Sequence, residues 1–224
     1  AYNVKASALA GLGKYADAVA LLNDALKKCG DDYLLNYNLG LSYFKLHNSK
    51  KALVCLEKSI DEKINYPESY FLYAYALIDQ NRWIEALFAF DSFLLLSPDD
   101  DRSKTVFADM MDVLRNKLVI ADGQSVSLST EELKQISDVL ISVKKTIPNN
   151  DKENSYLYFQ EATKSIIAEL KLMQKEENED MFWTNLVLTF TDILDSDYFD
   201  TFCRYISAGT YPESLSWWKA NKAK

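Results

Sequence analysis

Small and apolar residues recur along the first part of the chain with a period of 34. Ala18, Ala52 and Ala86 set the phase. Leu22, Leu56 and Phe90 follow four positions later, and Ala25, Ser59 and Phe93 three beyond those. Ahead of each alanine by twelve stand Ala6, Gly40 and Ala74, followed by Leu9, Tyr43 and Leu77. Spacings of three and four put each set on one helical face. Small residues at recurring points predict close helix crossings, and large apolar ones predict filled gaps between them. The pattern predicts helix pairs at about 2–12 and 15–29, 33–46 and 49–61, and 67–80 and 82–96. The turns carry Gly11-Leu12-Gly13, His47-Asn48-Ser49 and Gln80-Asn81-Arg82. A helix–turn–helix unit of this length cannot bury its own apolar face, so it must stack on copies of itself.

Beyond Pro98 the strict period fades. Phe107, Ala108 and Met111 hold the phase of a fourth first helix, but Ile120 takes the alanine position and Ala121-Asp122-Gly123-Gln124 reads as a loop. This predicts a degenerate half repeat. Ser129 and Glu132 have capping-box spacing, and Leu133, Ile136, Leu140, Ile141 and Val143 form an apolar stripe up to Pro148. Pro148-Asn149-Asn150-Asp151 predicts a turn. A long helix is expected from about Glu153 to Glu177, with Tyr156, Phe159, Ala162, Ile166, Ile167 and Leu170 facing inward. Two helices near 180–196 and 197–207 follow, and a short one through Trp217-Trp218 after the break at Gly209–Pro212.

The repeated residues resemble the tetratricopeptide repeat family, whose pattern is W-x2-L-G-x2-Y, then A-x3-F, then P. The middle copy fits best, with Leu39, Gly40, Tyr43, Ala52 and Leu56, and Asn36 in place of Trp. The third gives Tyr70, Tyr73, Ala74, Leu77, Ala86, Phe90 and Pro98. The first gives Tyr2, Ala6, Leu9, Ala18 and Leu22, with Lys5 at an apolar position and Gly30 in place of Pro. Pro67 is displaced by three residues, so a longer turn is expected between the second and third copies. The resemblance covers about residues 1–98. It implies an all-α fold, a right-handed α-solenoid of helix pairs. Residues 99–224 are then expected to be a degenerate repeat and a C-terminal helical cap, because terminal repeats need atypical caps.

Composition adds exclusions. Gly and Pro number 6 and 4 of 224, and apolar residues make 48%, which suits a continuous helical core. No apolar run is long enough to span a membrane, so direct membrane insertion is not expected. A chain that starts without Met and inside a helix is expected to be a fragment or a processed form. Net charge is −8, and the basic runs Lys27-Lys28, Lys50-Lys51 and Lys144-Lys145 are short, so no nucleic acid partner is expected. Asp99-Asp100-Asp101 reads as helix N-terminal capping in preference to calcium binding. Cys29, Cys55 and Cys203 lack metal spacing and fit reduced, buried thiols, which leans towards a cytoplasmic compartment. The single histidine, His47, falls in a turn with no second histidine to complete a nucleophilic pair. No phosphate loop, zinc spacing or nucleophile elbow is present, so no enzyme activity, cofactor or metal is expected.

The family resemblance also implies a job and a site. In that family the first helices of the pairs line a concave groove that binds a peptide or protein segment. The corresponding positions include Asn3 and Ser7 in the first copy, Tyr37, Asn38, Leu41 and Phe44 in the second, and Glu68, Phe71, Leu72, Tyr75, Ile78 and Asp79 in the third. The expected peptide-binding residues are Tyr37, Asn38, Leu41, Phe44, Phe71, Tyr75 and Ile78. Rigid aromatics with amide donors suit an extended or helical peptide. The family's clamp for chaperone C-terminal tails uses Lys, Asn, Asn, Lys and Arg. Only Asn38 agrees with it, and Glu68 would repel a carboxylate, so a chaperone tail is not the expected ligand. The alternative is a structural subunit whose groove is filled by its own C-terminus or by another subunit.

Overall fold

The computed structural model describes residues 1–120, 123–147, 152–174 and 179–221. The expected turn at Pro148–Asp151, Ala121-Asp122 of the expected loop and the far end of the long helix lie outside these. Among the described residues the chain is helical and has no strand. It divides into two compact units, residues 1–80 and 81–224.

The first unit holds α1 (Tyr2–Gly11), α2 (Tyr15–Cys29), α3 (Tyr33–Lys45), α4 (Ser49–Glu62) and α5 (Pro67–Ile78). Each packs on its neighbour in sequence, and α3 also packs on α1 and α5. This is the architecture of an α-solenoid. Local chemistry sets the boundaries. The Asp32 carboxylate accepts from Leu35 N at 3.0 Å to cap α3, and Asn48 accepts from Lys51 N at 3.2 Å to cap α4. Pro67 opens α5, where a missing N–H costs nothing. Four residues separate α4 from α5 and three separate α2 from α3, so the displaced Pro67 does mark a longer turn.

The repeat extends to the backbone. Gly13, His47 and Asn81, one period apart, have φ of 72°, 55° and 55°. The matching bonds recur as well: Gly13 N to Ala10 O and His47 N to Phe44 O, then Lys14 N to Leu9 O and Asn48 N to Tyr43 O, all 2.9 Å. The turns after α1 and α3 are thus the same left-handed turn, and Asn81 repeats its positive φ.

The core of this unit follows the predicted phase. Ala18, Leu22, Ala25, Ala52, Leu56 and Ser59 are wholly inaccessible. Ser59 breaks the apolar pattern for a reason. Its hydroxyl donates to Tyr33 O at 2.8 Å, so it must accept in the 2.7 Å bond with Ser69 on α5. Asn36, which replaces the family's Trp, is buried and donates to Asp31 Oδ1 at 3.2 Å and to Glu62 Oε1 at 3.4 Å. A polar tie between α3 and the ends of the flanking turns replaces an aromatic contact.

The second unit holds α6 (Trp83–Leu96), α7 (Ser103–Asp112), α8 (Thr130–Thr146), α9 (Lys152–Met173), α10 (Leu188–Asp195), α11 (Phe199–Ile206) and α12 (Pro212–Asn221). Every residue of α6 from Trp83 to Leu94 is buried, as expected of a helix apolar all round. α7 runs on into a π turn at Val113–Lys117 and a short turn at Leu118–Ile120, and another π turn, Phe182–Val187, leads into α10. Ser129 and Glu132 form the predicted capping box on α8. The inward stripe predicted for α9 is buried in full. Phe107 meets Phe159 at 5.0 Å and Tyr211 at 5.6 Å, and Phe88 meets Phe190 at 5.2 Å, all edge-on.

Three expectations are corrected. Ala108 is exposed, and Val106 and Met110 join Phe107 and Met111 inside, so the old phase slips by part of a turn at α7. Asp100 does not cap α7. It accepts from Arg102 N at 2.8 Å and binds the Arg102 guanidinium at 2.8 and 2.7 Å, which holds its carboxyl down at about 2. Cys29 is exposed, whereas Cys55 and Cys203 are buried.

Candidate functional site

The seven residues assigned to the groove lie on two neighbouring helices of the first unit. Tyr37, Asn38, Leu41 and Phe44 follow each other on α3 at spacings that keep them on one face, and Phe71, Tyr75 and Ile78 do the same on α5. All seven are half-buried. They are neither core residues nor fully solvated ones. Leu72, at a groove position by the resemblance, is instead buried beneath the α5 face.

Aromatic edges brace both helix faces. The Tyr37 ring stands edge-on to Tyr66 at 5.4 Å, and Tyr33 meets the same ring at 5.2 Å. Lys63 lies 4.2 Å from the centre of the Tyr33 ring and donates to its hydroxyl at 3.0 Å. Burial, then the charge of Glu68, pushes the Tyr66 phenol up, so it stays a neutral hydroxyl. On α5, Phe71 and Tyr75 pack edge-on at 5.0 Å. Asn38 donates from Nδ2 to Asn3 Oδ1 on α1 at 3.1 Å, which brings two of the amide positions together. At the rim, Asp79 accepts from Ser49 Oγ at 2.5 Å and is exposed.

Tyr33, Tyr66 and Lys63 were not among the residues expected at the site. Tyr66 reaches Tyr37 because the α4–α5 turn is one residue longer than the α2–α3 turn. The displaced Pro67 was the sequence signal for that, and it gave the length of the turn without saying which ring the turn would carry. His47 is exposed in its turn. Among the described residues there is no group of three His, Cys, Asp or Glu placed to hold a metal, and no helix long and apolar enough to cross a membrane.

Residues 34–63 match the family model for the tetratricopeptide repeat. That span coincides with α3 and α4, the pair whose phase residues fit the pattern best. No curated protein and no solved structure matches the chain. With the family's signature seated on α3 and α4, and its period running through Ala18, Ala52 and Ala86, the α3–α4 pair is a tetratricopeptide repeat.

Proposed function

We propose that the α3–α5 face docks an apolar segment of another protein, and that the protein works as a non-catalytic adaptor. Tetratricopeptide repeats are generally protein–protein interaction modules and typically lack enzymatic activity. The observation that carries the finer proposal is the half-burial of Tyr37, Leu41, Phe44, Phe71, Tyr75 and Ile78 on one pair of adjacent helices. Rings braced edge-on lose little freedom on binding and offer large apolar area, the usual character of interface anchors. Asn38 keeps a second N–H and a carbonyl oxygen for the backbone of an incoming segment. Glu68 and Asp79 near the rim favour Lys or Arg beside the docked residues, with more effect on association rate and selectivity than on affinity.

The test is a binding measurement with a partner isolated on the intact chain. Tyr37→Ala combined with Phe71→Ala should weaken binding by at least about 2 kcal/mol while the helical circular dichroism signal persists. Unchanged affinity in a folded double variant moves the interface off this face.

A further inference from the structure

The first unit carries a second recess, on another side of α3. Asn36, Leu39 and Tyr43 lie roughly 130° around the helix axis from Tyr37, Leu41 and Phe44, at 100° per residue. There α2, α3 and α4 enclose an open cleft of about 370 Å³. Its floor is apolar, built from Leu26, Leu39 and Cys55, with Val54 57% exposed at its edge. Its rim is cationic. Lys50, Lys51 and Lys58 all reach it from α4, in a chain whose net charge is −8.

The placement of these charges is specific. Lys50, Val54 and Lys58 follow at intervals of four along one line of α4, so an exposed apolar side chain stands between two ammonium groups. Lys51 is steered over the Tyr43 ring, 5.4 Å from its centre. Lys58 has an exposed contact with Asp31 at 3.6 Å, of the kind that contributes little and exchanges readily. Burial pushes the Cys55 thiol up to about 11 although Lys58 and Lys51 pull the other way. Eight residues of helix spread the charges over about 12 Å. A compact anion would be gripped by converging groups, whereas this row matches a segment of chain.

We infer that the α2–α3–α4 cleft docks an acidic peptide segment of a partner protein, an apolar residue against Val54 flanked one turn away on each side by Asp or Glu. The cleft and the α3–α5 face then prefer partners of opposite charge, and one repeat pair holds two segments on different sides of α3.

Three labelled synthetic helical peptides test this on the full chain by fluorescence anisotropy. One carries a central Leu with Glu one turn on either side, and its twins carry Gln or Lys in place of Glu. The Glu peptide should bind, should weaken as salt is raised, and should lose about tenfold or more in affinity on Lys50→Glu with Lys51→Glu. The same double variant should gain affinity for the Lys twin. Both lysines are exposed, so the variant should keep its helical signal. Tyr37→Ala should leave Glu-peptide binding unchanged, which separates this cleft from the α3–α5 face. Equal binding of the Glu and Gln peptides, no binding of the Glu peptide, or loss through Tyr37→Ala and not through the lysines would each overturn the inference.

Discussion

Leu56 lies so close to the backbone of Gly40 that a Cβ added there would stand 2.8 Å from Leu56 Cγ and 3.3 Å from the carbonyl oxygen of Ala52. This is the α3–α4 crossing, and it explains why the position twelve before the phase alanine is small. Gly40→Ala sets two effects against each other. Helix propensity favours Ala over Gly by about 0.5–1 kcal/mol. Overpacking of a wholly buried Leu and a backbone oxygen costs about 1–3 kcal/mol. The clash should win, and urea denaturation should show net destabilisation of about 1 kcal/mol. Repeating the substitution with Leu56→Ala should remove the clash and leave only the propensity gain, a coupling that a double-mutant cycle reads directly.

The left-handed turn after α3 gives a second expectation. His47 holds φ of 55° with its side chain exposed, at the position Gly13 and Asn81 occupy one period away. With no packing to lose, substitutions there should rank by backbone preference alone. His47→Gly should be neutral or slightly stabilising, since relief of about 1 kcal/mol of left-handed strain is offset by about 0.4–1 kcal/mol of unfolded-state entropy. His47→Val should destabilise by about 1 kcal/mol or more, because a branched Cβ suits that region poorly. Thermal melts of the two variants measured together decide it. A valine variant as stable as the glycine one would remove the turn from the architecture.

These residues show what was legible in the sequence. Close crossings demand small side chains whatever their neighbours, so Ala18, Ala52 and Gly40 announced the phase before any partner was known. The half-burial of Tyr37 on α3 and Phe71 on α5 is consistent with that phase. Contacts set by loop length and by distant pairing did not follow: Tyr66 against Tyr37 depended on one extra turn residue, and Ser125 lies 40 positions from the carboxylate it binds. Two other features had a signal that pattern counting passed over. Glu85 and Asp91 stand in a helix apolar on every side, so their burial was implied by the residues around them.

Ser125 is expected to hold the start of α6. Its hydroxyl donates to Glu85 Oε1 at 2.5 Å and accepts from Ser127 N at 3.0 Å and Leu128 N at 2.9 Å. Glu85 is wholly inaccessible, and Arg82 Nε lies 3.3 Å from the same oxygen. Ser125→Ala therefore removes a donor from a buried carboxylate and two acceptor contacts from the turn. A loss of about 1–3 kcal/mol is expected in denaturant unfolding. Faster amide exchange at Ser127 and Leu128 should accompany it. A fully stable variant with unchanged exchange would mean that Arg82 alone satisfies Glu85.

Asp91 should make stability depend on pH in a direction opposite to that of a paired carboxylate. It is 1% exposed in the middle of α6, and neither of its oxygens has a hydrogen-bond partner among the described residues. Burial pushes its pKa from 3.8 up to about 8. The folded protein at neutral pH thus carries a protonated Asp91, whereas the unfolded chain ionises near 4. Unfolding releases a proton throughout that window, so this group's contribution to stability is fully present below pH 4. It declines as pH rises and is gone above about 8, where both states are ionised. The total is on the order of a few kcal/mol, since each unit of pKa displacement is about 1.4 kcal/mol. Asp91→Asn keeps the shape of the protonated acid and cannot ionise. The variant and the parent should unfold at similar urea concentrations near pH 3, where both states of the parent are protonated, and the variant should be the more stable at pH 9. Asn is close in volume to Asp, so a packing defect would shift both pH values alike. A gap between the two proteins that stays the same at both values would place the ionised carboxylate in contact with water, and α6 would then not be dry at its centre.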